Sequence, residues 1–127
     1  MSDIFFLDLN DVLQIHTSTI DEEGGSHGIR DIALVESAVA APRSSFGGEY
    51  LHPDLASMAA AYMFSLVCNH GFVDGNKRVG TLAALVFLDS NGVTAFPPAE
   101  ELEQITMALA RGELGKDELV AWWSQPT

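Results

Sequence analysis

Nine consecutive residues, His70-Gly71-Phe72-Val73-Asp74-Gly75-Asn76-Lys77-Arg78, bring an imidazole, a carboxylate and two cations together between two apolar helix-forming stretches. An imidazole titrates near neutrality, so His70 suits removal of a proton from an attacking hydroxyl. Gly75 and Asn76, at the mouth of the following helix, would offer unpaired N–H groups and a partial positive charge to a phosphate. Gly75 also lets the backbone approach closely. Lys77 and Arg78 on the first helical turn oppose the helix dipole, a conflict that an anion in front of them would offset. Asp74 supplies a hard oxygen of the kind that holds Mg²⁺, an ion usually bound by one or two carboxylates together with substrate phosphates. Phe72 is the apolar peg expected to hold the loop down. Taken singly, each residue has a plainer role: His70 as an interior histidine, Asp74 as a helix cap, Lys77 and Arg78 as solvated charges. The chemistry that fits the set is transfer of a phosphoryl-type group, which asks mainly for alignment and charge stabilisation.

The rest of the chain sets limits on that chemistry. Its 127 residues, 47% of them hydrophobic, correspond to one domain over 1–127 with a single core. Six Lys and Arg stand against 18 acids, a net charge of −12, which repels polyanions and argues against direct nucleic-acid binding. Cys68 is the only cysteine, so no intrachain disulfide forms and a reducing cytoplasm is expected. The amino-terminal Met1-Ser2-Asp3 lacks the positive region of an export signal. The apolar run Val79 to Leu88 is too short to span a bilayer, so no membrane association is expected.

Hydrophobic rhythm places the loop among helices. Leu9, Val12, Leu13, Ile15 and Ile20 fit an amphipathic helix over Leu9 to Glu22, and Asp31 can cap a short one carrying Leu34, Val35, Ala38 and Val39. After Pro53 the positions Leu55, Met58, Ala59, Tyr62, Met63, Leu66 and Val67 follow one helical face that, continued, reaches His70. Asn76 to Ser90 is apolar nearly all round from Val79, which predicts the buried central helix, stopped by Gly92. Pro98 starts a helix with Leu102, Ile105, Met107 and Leu109 facing inward, and a last helix covers Asp117 to Trp123. Gly47-Gly48 between Phe46 and Tyr50-Leu51 is compatible with a β-hairpin over Ser44 to Leu51. The fold class is therefore all-α, a helical bundle around a central helix with a small hairpin. His16, His27 and His52 are scattered without the spacing of a zinc site, and surface or supporting roles suit them better. Trp122 and Trp123 are adjacent, so one is expected to lie outward.

At His70 to Arg78 the chain resembles the Fic/Doc family, whose motif reads His-X-Phe-X-Asp/Glu-Gly/Ala-Asn-Gly/Lys-Arg. Lys77, where Fic proteins usually carry Gly, makes it similar to the Doc (death-on-curing) toxin branch. Ile15-His16, Gly24-Gly25, Gly28-Ile29-Arg30-Asp31, Glu36-Ser37-Ala38, Phe46-Gly47-Gly48 and Phe87 to Gly92 match that branch too. The resemblance implies transfer from ATP, with Mg²⁺, to a side-chain hydroxyl of a protein substrate. Doc enzymes pass on the γ-phosphate, with elongation factor Tu as the family's target, whereas Fic enzymes transfer the nucleotidyl group. By matching positions, His70 is the base, Asp74 the Mg²⁺-linked acid, Gly75, Asn76, Lys77 and Arg78 hold phosphate, and Phe72 anchors the loop. Ser44 to His52 falls where the family places a flap that pairs with the target peptide. A cognate antitoxin is the implied partner. Two positions depart from the pattern. Gly71 replaces the common Pro, which is expected to loosen the loop. Thr81 replaces the second arginine of Fic proteins, which favours a Doc-like kinase over nucleotidyl transfer. A catalytically silent domain that binds a nucleotide or partner is the remaining alternative.

Overall fold

Three of the helices start where an aspartate supplies an acceptor for their first N–H groups. The computed structural model describes residues 3–126, so Met1 and Ser2 of the amino-terminal stretch lie outside the described residues. Asp8 opens α1 (Leu9–Glu23) with a reciprocal box: its carboxylate accepts the Asp11 N–H at 2.8 Å, and the Asp11 carboxylate accepts the Asp8 N–H at 2.9 Å. Asp31 caps α2 (Ile32–Ala40) through the N–H groups of Ala33 and Leu34, and Asp54 caps α3 (Leu55–Asn69) through that of Ser57. Each such cap contributes about 1 kcal/mol. No side chain caps α4 (Asn76–Ser90), whose N-cap is Gly75. Its far end closes with Gly92 at φ 88° and the Val93 N–H donated to the Leu88 carbonyl at 3.0 Å. α5 (Ala99–Ala110) and α6 (Lys116–Trp123) complete the helices. Between α2 and α3, β1 (Ser45–Phe46) pairs antiparallel with β2 (Glu49–Tyr50). Gly47 and Gly48 both carry positive φ in its turn, as a two-residue hairpin requires.

α3 is the most enclosed helix. Every residue from Ser57 to Met63 is buried, and α2, α4, α5 and α6 all pack on it. The expectation that α4 is buried nearly all round is corrected. Val79, Ala83, Ala84, Phe87 and Leu88 face the core, but Val86 is exposed and Leu82 and Leu85 are half-buried. The reason is that α4 approaches α3 through one face only. A Cβ on Gly80 would lie 2.6 Å from Val67 Cγ2 and 3.1 Å from the Met63 carbonyl oxygen. Gly80→Ala would gain about 1 kcal/mol of helix propensity. The overlap, partly with fixed backbone, costs about 1–3 kcal/mol. Net destabilisation is expected, read as a lowered thermal midpoint.

A second correction falls on α5, where Met107 is exposed and Thr106 is buried in its place. From Leu102, the inward face of a helix at 3.6 residues per turn runs through Thr106 and Leu109, and Met107 falls well round from it. The Thr106 hydroxyl donates to the Leu102 carbonyl at 2.7 Å and shares a 2.8 Å bond with the Thr81 hydroxyl. Trp123 is buried and Trp122 half-buried against it, edge to face, so neither is fully outward. The segment before α1 is stapled down. Tyr62 accepts the Leu7 N–H at 2.9 Å, and burial pushes its hydroxyl up to about 12. The Asn91 amide exchanges hydrogen bonds with the backbone of Phe5. No helix among the described residues is long and apolar enough to cross a membrane.

Candidate active site

The loop between α3 and α4, with the first turn of α4, carries all the candidate residues. His70 is the C-cap of α3 at φ 53°, ψ 46°, the one non-glycine residue with positive φ among those described. This left-handed geometry costs about 1–2 kcal/mol and swings the chain off the apolar face of α3. His70 is consequently exposed, and the interior-histidine reading does not describe it. Arg30 offsets the strain: its Nε donates to the His70 carbonyl at 2.6 Å and its Nη2 to the Asn69 carbonyl at 3.2 Å. One residue on, the Gly71 carbonyl accepts the N–H groups of both Arg30 and Asp31, at 2.8 and 3.0 Å. Gly71 is thus tied to the start of α2 through its carbonyl. A Cβ there would meet Val35 Cγ2 at 2.5 Å.

Phe72 is buried, as the peg reading requires, with its ring stacked on His16 at 3.9 Å between centroids and 10° between planes. Asn76 spans the loop. Its Nδ2 donates to the Phe72 carbonyl at 2.9 Å and its Oδ1 accepts the Phe72 N–H at 3.0 Å, so its side chain braces the loop and leaves its backbone N–H for an anion. Asp74 is exposed. Its Oδ2 accepts the Ser26 N–H at 2.7 Å, tying down the loop after α1, and its carbonyl accepts a bond from His16 Nε2 at 2.9 Å.

Beyond the loop, Gly75, Asn76, Lys77 and Arg78 line a cleft of about 690 Å³ between α4 and α5, with Thr81 and Thr106 on its wall and Leu85, Leu102 and Met107 farther along. His70 and Asp74 stand outside that lining, on the exposed stretch that leads into it. The uncapped α4 N-terminus and two exposed cations give the cleft mouth the partial and full positive charge that would favour an anion. One acid competes there: Glu23 Oε2, at the end of α1, lies 3.8 Å from Arg78 Nε. Both side chains are about half exposed, and such pairs contribute about 0.2–1 kcal/mol. Glu23→Gln is expected to tighten the binding of a phosphate-bearing anion at this mouth by a factor of up to about five, measured by titration calorimetry.

His16 and Arg30 are the site residues that sequence reasoning undervalued. His16 is buried on the same face of α1 as Val12, Thr19 and Ile20, a spacing that could have drawn it inward. Arg30 carries no periodic signal, because its partners are backbone carbonyls forty residues away.

A helical fold that presents this loop at the start of α4 defines a class. The Fic/DOC family model matches residues 6–88, and the chain belongs to that family. Within it the chain is similar to the Doc branch. It is 42% identical over 88 residues to the toxin Doc of Mycolicibacterium smegmatis, covering 69% of this chain and 65% of that one. It is 31% identical over 104 residues to the protein kinase doc of Escherichia phage P1, covering 82% of this chain and 81% of the relative.

Proposed function

We propose that this chain is a Doc-type toxin that transfers the γ-phosphate of ATP to a Ser or Thr hydroxyl of a protein, with a translation factor such as elongation factor Tu as target, and that a cognate antitoxin holds it in check. The observation that carries this reading is the pairing of an exposed His70, fixed in its turn by Arg30, with an uncapped α4 N-terminus bearing Lys77 and Arg78 at a cleft mouth. The names of the two relatives, a toxin and a protein kinase, support it.

In the proposed reaction His70 takes the proton of the target hydroxyl as its oxygen bonds to the γ-phosphorus. The bond from that phosphorus to the β,γ-bridging oxygen breaks, and ADP leaves. The N–H groups of the α4 start, with Lys77 and Arg78, hold and neutralise the phosphates. Asp74 fits Mg²⁺, because it offers one carboxylate with an oxygen left over beside the Ser26 bond, a donor set suited to an ion held mainly by substrate phosphates. When bound, Mg²⁺ would neutralise phosphate charge. The β1–β2 hairpin offers exposed strand edges and the exposed Phe46 for pairing with an extended target segment.

Thr81 favours this reading over nucleotidyl transfer. Its hydroxyl lies 3.1 Å from the Lys77 carbonyl oxygen and 2.8 Å from the Thr106 hydroxyl, and supplies no charge to a polyphosphate. The deciding experiment incubates the protein and a His70 variant with Mg²⁺ and a bacterial lysate, using ATP labelled at the γ- or the α-phosphate. His70-dependent label from γ alone is the expected result. Label from α would replace it with nucleotidyl transfer, and binding without His70-dependent label from either would leave a silent binding domain.

A further inference from the structure

His16 touches the motif loop at Phe72 and Asp74, lies beside Gly75, and is itself buried. Its ring covers the face of Phe72, its Nε2 lies 2.9 Å from the Asp74 carbonyl oxygen, and its Cδ2 lies 3.6 Å from where a Cβ on Gly75 would be. A carbonyl oxygen only accepts, so this nitrogen must carry a hydrogen and donate it. In a trans peptide the C=O and the following N–H point in opposite directions. Drawing the Asp74 carbonyl toward α1 therefore turns the Gly75 N–H away from α1. That N–H has no acceptor among the described residues, and neither do those of Asn76, Lys77 and Arg78 behind it. Gly75 at φ 87° allows this peptide orientation.

We propose that His16 is the positioning residue of the phosphate cradle: by donating to the Asp74 carbonyl it aims the Gly75 N–H at the anion that the start of α4 receives. The inference rests on the reading of this loop as a phosphate site. It assigns His16 a role that packing alone would not require, since a phenylalanine could stack on Phe72 equally well. His16→Phe keeps the ring and removes the donor, His16→Leu keeps apolar volume alone, and His16→Gln keeps a donor without the ring.

The test uses ¹⁵N-labelled full-length protein titrated with Mg²⁺ and β,γ-imido-ATP, following the Gly75 amide, together with KM for ATP and kcat in the labelling assay. In the unmodified protein the Gly75 amide should move among the most of all backbone amides. In His16→Phe or His16→Leu that movement should be lost and the ATP affinity should fall about tenfold, the effect of one hydrogen bond to the cradle. His16→Gln should stay within about threefold of the unmodified protein if a single donated bond is what matters. An unmoved Gly75 amide in the unmodified protein would overturn the proposal even if no donorless variant folds. So would a folded donorless variant with unchanged affinity, or a glutamine variant as weak as the phenylalanine one. Binding that moves Gly75 without any label transfer would instead remove the phosphotransfer reading and leave the role of His16 standing.

Discussion

Replacing His70 with asparagine is expected to lower the proposed γ-phosphate transfer by about a hundredfold to ten-thousandfold, the range lost with a general base. Affinity for ATP should stay nearly unchanged. Asparagine is the informative choice because His70 sits at φ 53°, a conformation that Asn tolerates far better than Ala. An alanine there would add a backbone penalty to the loss of the base, and the two could not be separated. The turn is also held from outside the side chain, since Arg30 donates to the His70 and Asn69 carbonyls, so the loop should keep its shape in the variant. Single-turnover labelling from γ-³²P ATP gives the rate, and equilibrium titration gives the affinity. A decrease of less than about tenfold would mean that the target hydroxyl loses its proton elsewhere. A parallel loss of ATP affinity would make His70 a phosphate ligand and not a base.

Much of this site could be read from the chain because its parts are local. The motif residues are consecutive, and Asp31, read as a cap, directly precedes its helix; the caps Asp8 and Asp54 stand as close to theirs but were not read from the chain. The hairpin was legible in Gly47-Gly48 for the same reason. What the sequence hid depends on distance. His16 meets Asp74 across 58 residues, and no local rhythm marks that pairing. The rank of α3 over α4 at the centre was obscured because both read as apolar. The difference lies in Ala59, Ala60 and Ala61, small residues that let neighbouring helices close around α3, whereas the outer side of α4 faces grooves. Met107 was placed inward on hydrophobicity, and Thr106 takes the position because its hydroxyl finds both the Leu102 carbonyl and Thr81.

Gly71 is where local reading and packing disagree most, and it carries the second large expected effect. Gly→Ala at a compatible backbone stabilises by about 0.4–1 kcal/mol through the unfolded chain. Here the added Cβ would lie 2.5 Å from Val35 Cγ2, 3.2 Å from the Val35 nitrogen and 3.4 Å from the Asp31 carbonyl oxygen. The loop cannot back away freely, because the Gly71 carbonyl holds the N–H groups of Arg30 and Asp31 at 2.8 and 3.0 Å. Moving it would break the bonds that shape the turn at His70. The overlap costs about 1–3 kcal/mol and outweighs the entropic gain, so Gly71→Ala should lower the thermal midpoint by several degrees and reduce transfer activity with it. Gly71→Pro, which restores the residue common in the family, places a Cβ at the same point and should fare no better. The physical reason for glycine is then Val35, and this makes the prediction specific. Val35→Ala removes the clashing Cγ2 and leaves a small cavity, destabilising by itself. Combined with Gly71→Ala, the new methyl partly fills the space that Val35 vacates, so the double variant should be more stable than the sum of the single effects by about 0.5–3 kcal/mol, as for residues in contact. Strict additivity in a thermal or urea double-mutant cycle would show that the loop relaxes independently of α2.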